Sequence, residues 1–310
     1  MRIFNCLPAT LAHYARELAE TLSRLDVEVI EVNSQAPIDS ATSRAFRGLS
    51  HIREIRRIAK SETPTIVIWP GFGWLDGILW FRCRSLVLEI SHDPIPIRRQ
   101  YFSGKLWNTI AKRAMQVEWI CHTQSAANAA AKIIGTTPRI ALHPVLTTPF
   151  SGRPSKSDSR FVISVLGQFK PSRDMDALRE IARDLPSCKY DLRIIGRGWP
   201  DISGWRVTNR FVSEEELDRA LDDSDVVVLP YRQYWQSGIA VRAVERGTSV
   251  VGERTEFLSL LMGDEYPGIL DDGDSWAQAI ELVVERDDQV HAGYKQLVDE
   301  SWRHIVAALQ

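Results

Sequence analysis

The sequence predicts an α/β protein of two similar halves, each a parallel sheet covered by helices. Three observations predict it. Strand-like and helix-like segments alternate along the chain. A stretch rich in Pro, Ser, Gly and Thr, Thr147–Arg160 (TTPFSGRPSKSDSR), interrupts the alternation near the middle and reads as a linker. Charge divides at the same place. Residues 1–155 hold 19 Lys+Arg against 12 Asp+Glu, a net of about +7, and the rest holds 19 against 28, about −9, behind an overall charge of −2.

The elements follow in order. Arg2–Leu7 is a short apolar strand, and Tyr14–Leu25 is a helix with Leu18, Leu22 and Leu25 at three- and four-residue steps. Val27–Val32 (VEVIEV) alternates as a strand does, and Thr65–Trp69 and Leu86–Ile90 are further strands. Trp107–Gln116 reads as a helix, Glu118–His122 as a strand and Ser125–Ile134 as an alanine-rich helix. Beyond the linker, Phe161–Leu166 is a buried strand ending at Gly167, and Asp174–Leu185 is a helix. Asp191–Ile195 is a strand running into Gly196-Arg197-Gly198. Glu214–Leu221 is a helix capped by Ser213, and Asp225–Leu229 is a strand stopped by Pro230. Gly238–Arg246, Ser275–Glu285 and about Asp288–Leu309 are helices, with the strand Ser249–Gly252 between the first two.

Composition excludes several classes. With 44% hydrophobic and 25% charged residues, the chain is neither disordered nor fibrous. No run of about 18 apolar residues is present, so no membrane-spanning helix is expected. The start, MRIFNCLP, lacks a charged segment followed by a long apolar one, and no signal peptide is expected. Cys6, Cys83, Cys121 and Cys188 are scattered, which implies neither a zinc site nor a disulfide framework and points to a reduced, cytoplasmic setting.

In parallel sheets, ligands sit where strands feed helix N-termini. Three such loops carry chemistry. Gly167-Gln168-Phe169-Lys170-Pro171-Ser172-Arg173 joins a close-approach glycine to two cations at a helix start, which suits a pyrophosphate. Leu229–Ile239 (LPYRQYWQSGI) sets Gln236, Ser237 and Gly238 before a helix, offering amides and an amide side chain to hydroxyls. Ser91-His92-Asp93-Pro94 places a histidine and a carboxylate at the end of a strand. The acidic clusters Asp222-Asp223-Ser224-Asp225 and Asp271-Asp272-Gly273-Asp274 read as helix-end and turn residues, so no metal is expected.

These motifs, in this order, resemble the GT-B glycosyltransferases, in particular the large retaining family usually numbered four. The likeness is best over Phe161–Glu285. It includes Arg210-Phe211-Val212-Ser213 and is most specific over Ser224–Val251, with Gln236-Ser237-Gly238 and Gly247-Thr248-Ser249-Val250-Val251. The closing helix with Trp302 also resembles that family's tail helix, which crosses back to the first domain.

The resemblance implies two Rossmann-like domains with a cleft between them: an acceptor domain (1–150), a nucleotide-sugar donor domain (161–287) and a tail helix (288–310). It implies sugar transfer from a nucleotide-sugar, with retention and without metal or cofactor. Lys170 and Arg173 would neutralise the donor diphosphate. Gly167, Ser237, Gly238 and Ile239 would hold phosphates or hydroxyls, and Tyr231 would line the donor site. Phe211 and Val212 would lie near the base. His92, Asp93 and Gln236 would act at the transferred sugar. Some positions depart from the family. Tyr234 and Arg242 stand where it carries two glutamates, Gln168 stands where many members have Arg, and Pro8-Ala9-Thr10-Leu11 lacks its glycines. The missing glutamates motivate one alternative, a catalytically weak or inactive nucleotide-sugar-binding module; a sugar-nucleotide epimerase and a nucleic-acid glucosylating enzyme are two further ones.

Finally, Arg44, Arg47, Arg53, Arg56, Arg57 and Lys60 surround Ile52, Ile55 and Ile58 in a basic amphipathic helix. Arg98, Arg99, Lys105, Lys112 and Arg113, interleaved with Tyr101, Phe102 and Trp107, form a second basic zone. Such surfaces fit anionic lipid headgroups and peripheral membrane association, with a lipid-linked acceptor. They also fit nucleic acid through its phosphates, but no nucleic-acid motif is present.

Overall fold

Short apolar runs with no polar alternation, such as Phe161–Leu166 and Val226–Leu229, are buried on both faces in strands of parallel sheets. The structure is a computed structural model of the chain and describes residues 1–8, 10–33, 44–71, 74–95, 117–146, 160–284 and 291–308. Most of the expected linker, the expected helix Trp107–Gln116 and the basic zone of residues 98–113 lie outside the described residues.

The chain divides into two units, Met1–Leu146 with Gln296–Gln310, and Thr147–Lys295. The first contains β1 (Arg2–Asn5), α1 (Ala12–Arg24), β2 (Ile30–Asn33), α2 (Arg44–Ile58), β3 (Thr65–Val67) and α3 (Trp74–Leu79). It continues with β4 (Val87–Ile90), β5 (Val117–Cys121), α4 (Gln124–Ile134) and β6 (Arg139–Ile140). Its six strands are all parallel, in the order β2-β1-β3-β4-β5-β6. The core packs Phe4, Val67 and Trp80 against Ile55 and Ile58 of α2.

The second unit contains β7 (Phe161–Leu166), α5 (Met175–Asp184), β8 (Tyr190–Ile195), β9 (Arg206–Thr208), α6 (Glu214–Asp223) and β10 (Val226–Leu229). It continues with α7 (Gly238–Glu245), β11 (Ser249–Glu253), α8 (Glu256–Met262), β12 (Ile269–Leu270) and α9 (Trp276–Val284). Its six strands are also parallel, in the order β12-β11-β10-β7-β8-β9. Strand order reverses between β7 and β10, whose register pairs Ile163 with Val226. Asp225 belongs to this frame: its carboxylate accepts from the Val162 amide at 2.7 Å, and its own amide donates to Val162 O at 2.8 Å. Ser213 caps α6 in a capping box with Glu216, as its position predicts.

Two differences from the sequence reading have local causes. The expected strand Val27–Val32 starts only at Ile30. Asp26 is left-handed (φ 59°) and the Val27 amide donates to Leu22 O at 3.1 Å, so these residues close α1 instead of extending β2. β6, β9, β12, α3 and α8 are too short to show a period and are legible only through their pairing and packing.

The last helix, α10 (His291–Ala307), joins the first unit from Gln296 onward. Trp302 is fully buried there, and its indole N–H donates to Leu142 O at 2.9 Å. The Leu142 amide donates to Ser301 Oγ at 3.0 Å, and Asp299 pairs with Arg24 at 2.7 Å. Truncating a buried Trp costs about 3–5 kcal/mol. Trp302→Ala is therefore expected to destabilise the first unit by that amount in urea unfolding. Trp302→Phe should cost clearly less, because it loses mainly one hydrogen bond, about 1 kcal/mol.

Candidate functional site

In the second unit the strand order reverses between β7 and β10, and ligands of open α/β sheets sit at the carboxyl ends of strands flanking such a point. The two loops there are laced together. The Asp174 amide donates to Pro230 O at 2.7 Å, the Arg232 amide donates to Ser172 O at 3.0 Å, and Arg173 and Tyr231 form an antiparallel bridge. This lacing sets the Arg173 side chain. Its guanidinium carbon lies 3.9 Å from the Tyr231 ring centroid and 5.2 Å from that of Trp199, and Nη2 donates to Leu166 O at 2.9 Å.

Arg173 is 4% exposed, and its Nε has no acceptor. Among the described residues no carboxylate forms an ion pair with it. Burial lowers its pKa from the usual arginine value, an effect opposed by Tyr231, but a guanidinium keeps its proton at any physiological pH. Lys170 stands half-buried in the same loop.

The floor is set by two glycines. Gly167 (φ 95°) and Gly196 (φ 155°) approach so closely that a Cβ on Gly196 would sit 2.0 Å from Gly167 O. No side chain fits there, and the close approach seats the loop after β8 beside the loop after β7. The Trp199 indole N–H then donates to Gly167 O at 2.8 Å, and its ring meets Phe169 edge-on at 5.2 Å. Trp199 was not singled out from the sequence; the run Gly196-Arg197-Gly198-Trp199 carries its signal.

Ser237 is the N-cap of α7, and its Oγ accepts from the Ala240 amide at 3.3 Å. Its hydroxyl is thus engaged with its own helix. The amides of Gly238 and Ile239 remain at the positive end of the helix, with open space around Gly238. Gln236 is half-buried just before this cap. Phe211 is 66% exposed and Val212 half-buried, in the segment between β9 and α6.

The two positions that depart from the family have structural roles. Tyr234 is buried, packs against Tyr231 and Phe257, and donates to Glu253 O at 3.2 Å. Arg242, 5% exposed, turns onto α6, where it pairs with Glu214 at 2.6 Å and with Asp218.

The acidic clusters are also engaged. Asp222 pairs with Arg246 at 2.5 Å, Asp271 with Arg254 at 2.5 Å, and Asp274 accepts from the Asp271 amide at 2.8 Å. A cavity of about 620 Å³ lies at the ends of β11 and β12, lined by six carboxylates, among them Glu253, Asp272 and Asp274, and by Arg254, which is paired with Asp271. That lining repels phosphate, so the cations beside β7 and β10 mark a different place from the cavity.

In the first unit, His92 follows β4, His122 follows β5 and His143 follows β6. The three rings cluster around Tyr14. Tyr14 meets His92 edge-on at 4.7 Å and His143 at 4.9 Å, and Trp69 stacks on His92 at 5.6 Å. His92 Nε2–H donates to Ile68 O at 2.9 Å. His122 Nδ1–H donates to Ala141 O at 2.7 Å, leaving Nε2 to accept the Tyr14 hydroxyl at 2.9 Å. Burial first, then the neighbouring His143 and His92, holds His122 well below the usual imidazole value. His143, beside Glu17 at 3.8 Å, is pushed down to about 3, chiefly by burial. Asp93 is half-buried next to His92. Of this cluster only His92 carries a local signal in the sequence; Tyr14, His122 and His143 lie far apart in the chain.

Two six-stranded parallel sheets, each covered by helices, give this chain the GT-B fold. No protein-family model and no curated protein matches the sequence. Among solved structures, the chain is similar to HepE from Anabaena, determined with UDP and glucose (TM-score 0.64, 10% identity, 99% of this chain and 98% of that one covered). It is similar to sucrose-phosphate synthase from Thermosynechococcus elongatus (TM-score 0.64, 14% identity, 99% and 94% covered). It is also similar to a glycosyltransferase from Rickettsia africae (TM-score 0.59, 12% identity, 99% and 93% covered). At these identities the likeness is one of fold. No helix among the described residues is long and apolar enough to cross a membrane.

The histidine cluster makes the first unit acid-sensitive. Unfolded imidazoles titrate near 6.5, whereas His143 titrates at about 3 in the fold. Between these values the unfolded chain binds protons that the folded cluster refuses. Its contribution is therefore complete above pH 6.5 and is lost as pH falls towards 3, at up to about 1.4 kcal/mol per pH unit for each imidazole. The urea midpoint of the first unit is expected to drop between pH 7.5 and 5, and His143→Gln should flatten that slope. Equal slopes in the two proteins would contradict the assignment.

Proposed function

We propose that the chain is a glycosyltransferase that takes a sugar from a nucleotide-sugar and passes it to an acceptor hydroxyl, with retention and without a metal. The observation that carries this reading is Arg173. A buried guanidinium with no carboxylate partner is costly unless an anion completes it. The anion that suits the place is a diphosphate, approached also by Lys170 and by the Gly238 and Ile239 amides. As the bond from the sugar to the diphosphate breaks, negative charge grows on the leaving oxygen. A fixed guanidinium and two oriented amides stabilise that charge without reorganising. Phe211 is exposed at the edge for a base to lie against. HepE with bound UDP and glucose, on the same fold, supports this reading.

A second reading is favoured by one observation. Arg242 fills its position with an ion pair to α6, where the retaining family has a glutamate. A nucleotide-sugar-binding module without turnover would tolerate that change.

Calorimetry of the purified chain against UDP-, GDP- and ADP-sugars tests both. One donor is expected to bind, and Arg173→Ala should weaken it about 10- to 100-fold, the loss of one or two charge-assisted hydrogen bonds. Binding of none of these donors would overturn the function, and unchanged affinity in Arg173→Ala would remove that residue from the site. Binding without nucleotide release across an acceptor panel would establish the second reading.

A further inference from the structure

We infer that one face of the first unit, built by α2 and the turn after α3, is a docking surface for an anionic phospholipid bilayer. It is independent of the transferase reading, since binding is read without turnover.

At 3.6 residues per turn, Leu49, Arg53, Arg56 and Arg57 fall within about 100° of arc on α2. All four are exposed, Leu49 by 66%, while Ile55 and Ile58 on the opposite side are buried in the core. Lys60 extends the face just past the helix end.

A second segment is fastened beside it. The Arg56 guanidinium donates to Phe81 O at 2.8 Å and to Leu79 O at 3.3 Å, and the Arg84 amide donates to Ala59 O at 3.0 Å. The turn between these anchors projects Phe81, which is 46% exposed, with the Arg82 guanidinium carbon 5.2 Å from its ring centroid. Arg82 sits at φ 59°, a left-handed conformation uncommon for a residue with a side chain, so the turn is held in a shape that chain preference does not supply.

Among the described residues, five cations, Arg53, Arg56, Arg57, Lys60 and Arg82, thus share a face with the carboxylates Glu54 and Glu62, and Glu54 is already paired with Arg57. A rigid cationic face with an aliphatic and an aromatic side chain in its midst matches a headgroup layer. The phosphates meet the guanidinium groups, and Phe81 and Leu49 enter the interfacial region, where apolar side chains add to electrostatic attraction. A nucleic-acid backbone would satisfy the cations but gain nothing from the exposed Leu49.

The test is co-sedimentation of the full chain with vesicles at about 150 mM salt, where long-range attraction is screened beyond ~8 Å. Vesicles of phosphatidylglycerol with phosphatidylcholine are compared with phosphatidylcholine alone. Binding is expected to the anionic vesicles only and should weaken with added salt. Arg53→Glu with Lys60→Glu should weaken it at least tenfold. Phe81→Ser should weaken it severalfold, with thermal melting unchanged in all variants. Equal binding to both vesicle types, or unchanged binding by the double variant, would overturn the proposal. So would a duplex DNA that binds the chain tightly, loses binding in the double variant and displaces it from the vesicles, since that would make the face a nucleic-acid surface. Nucleotide-sugar binding, measured in parallel on the same variants, should stay as in the parent. Its absence in the parent bears on the transferase reading alone.

Discussion

Burying a guanidinium without a counter-carboxylate is the constraint that organises the second unit. Arg173 is tolerated because three things are arranged around it: the Tyr231 face, the Trp199 ring and the Leu166 carbonyl. Each depends on something further back. Tyr231 is held by the lacing of the β10 loop to the β7 loop, and Trp199 by its bond to Gly167 O. Trp199 reaches that oxygen only because Gly196 and Gly167 lack side chains at their point of contact. The chemistry proposed for the site is therefore a consequence of packing several residues away from it.

The first unit handles polar groups differently. Its strand ends carry imidazoles that find partners in carbonyls and in Tyr14, and burial keeps those of His122 and His143 neutral. A neutral ring is inexpensive to bury, while a charged one is not. Exposed positive charge gathers on α2 and the turn beside it, where water screens it. The unit thus separates a dry, neutral interior edge from a wet, cationic outer face. Trp302 fastens α10 to the same unit through one bond in a fully buried setting.

Much of this was legible in the chain. The two parallel sheets could be read from unbroken apolar runs such as Phe161–Leu166, because a strand covered on both faces tolerates no polar alternation. Ser213 announced its helix through Glu216 three residues on. The loop cations Lys170 and Arg173 were visible because a glycine, a strand end and a helix start flank them. Other features were not. Val27 looks like a strand residue and instead closes a helix, since a left-handed Asp26 redirects the backbone. Tyr14, His122 and His143 carry no local signal, because their meeting is made by strands from distant parts of the sequence. Arg242 reads as a missing glutamate, and only the structure reveals the pair of carboxylates on α6 that it serves.

The sequence by itself determined the fold class and the residue types at the strand ends. Those follow from periodicity, glycine placement and charge, which act over a few residues. Tertiary structure alone decided which cation is buried and which is displayed. It also decided which histidines cluster and which tryptophan packs on Arg173, since burial and partnership depend on neighbours supplied by other strands. Arg173 and Arg53 have the same side chain. One lies between two rings at a reversal of strand order and the other on an outer helix face, and that placement separates their roles.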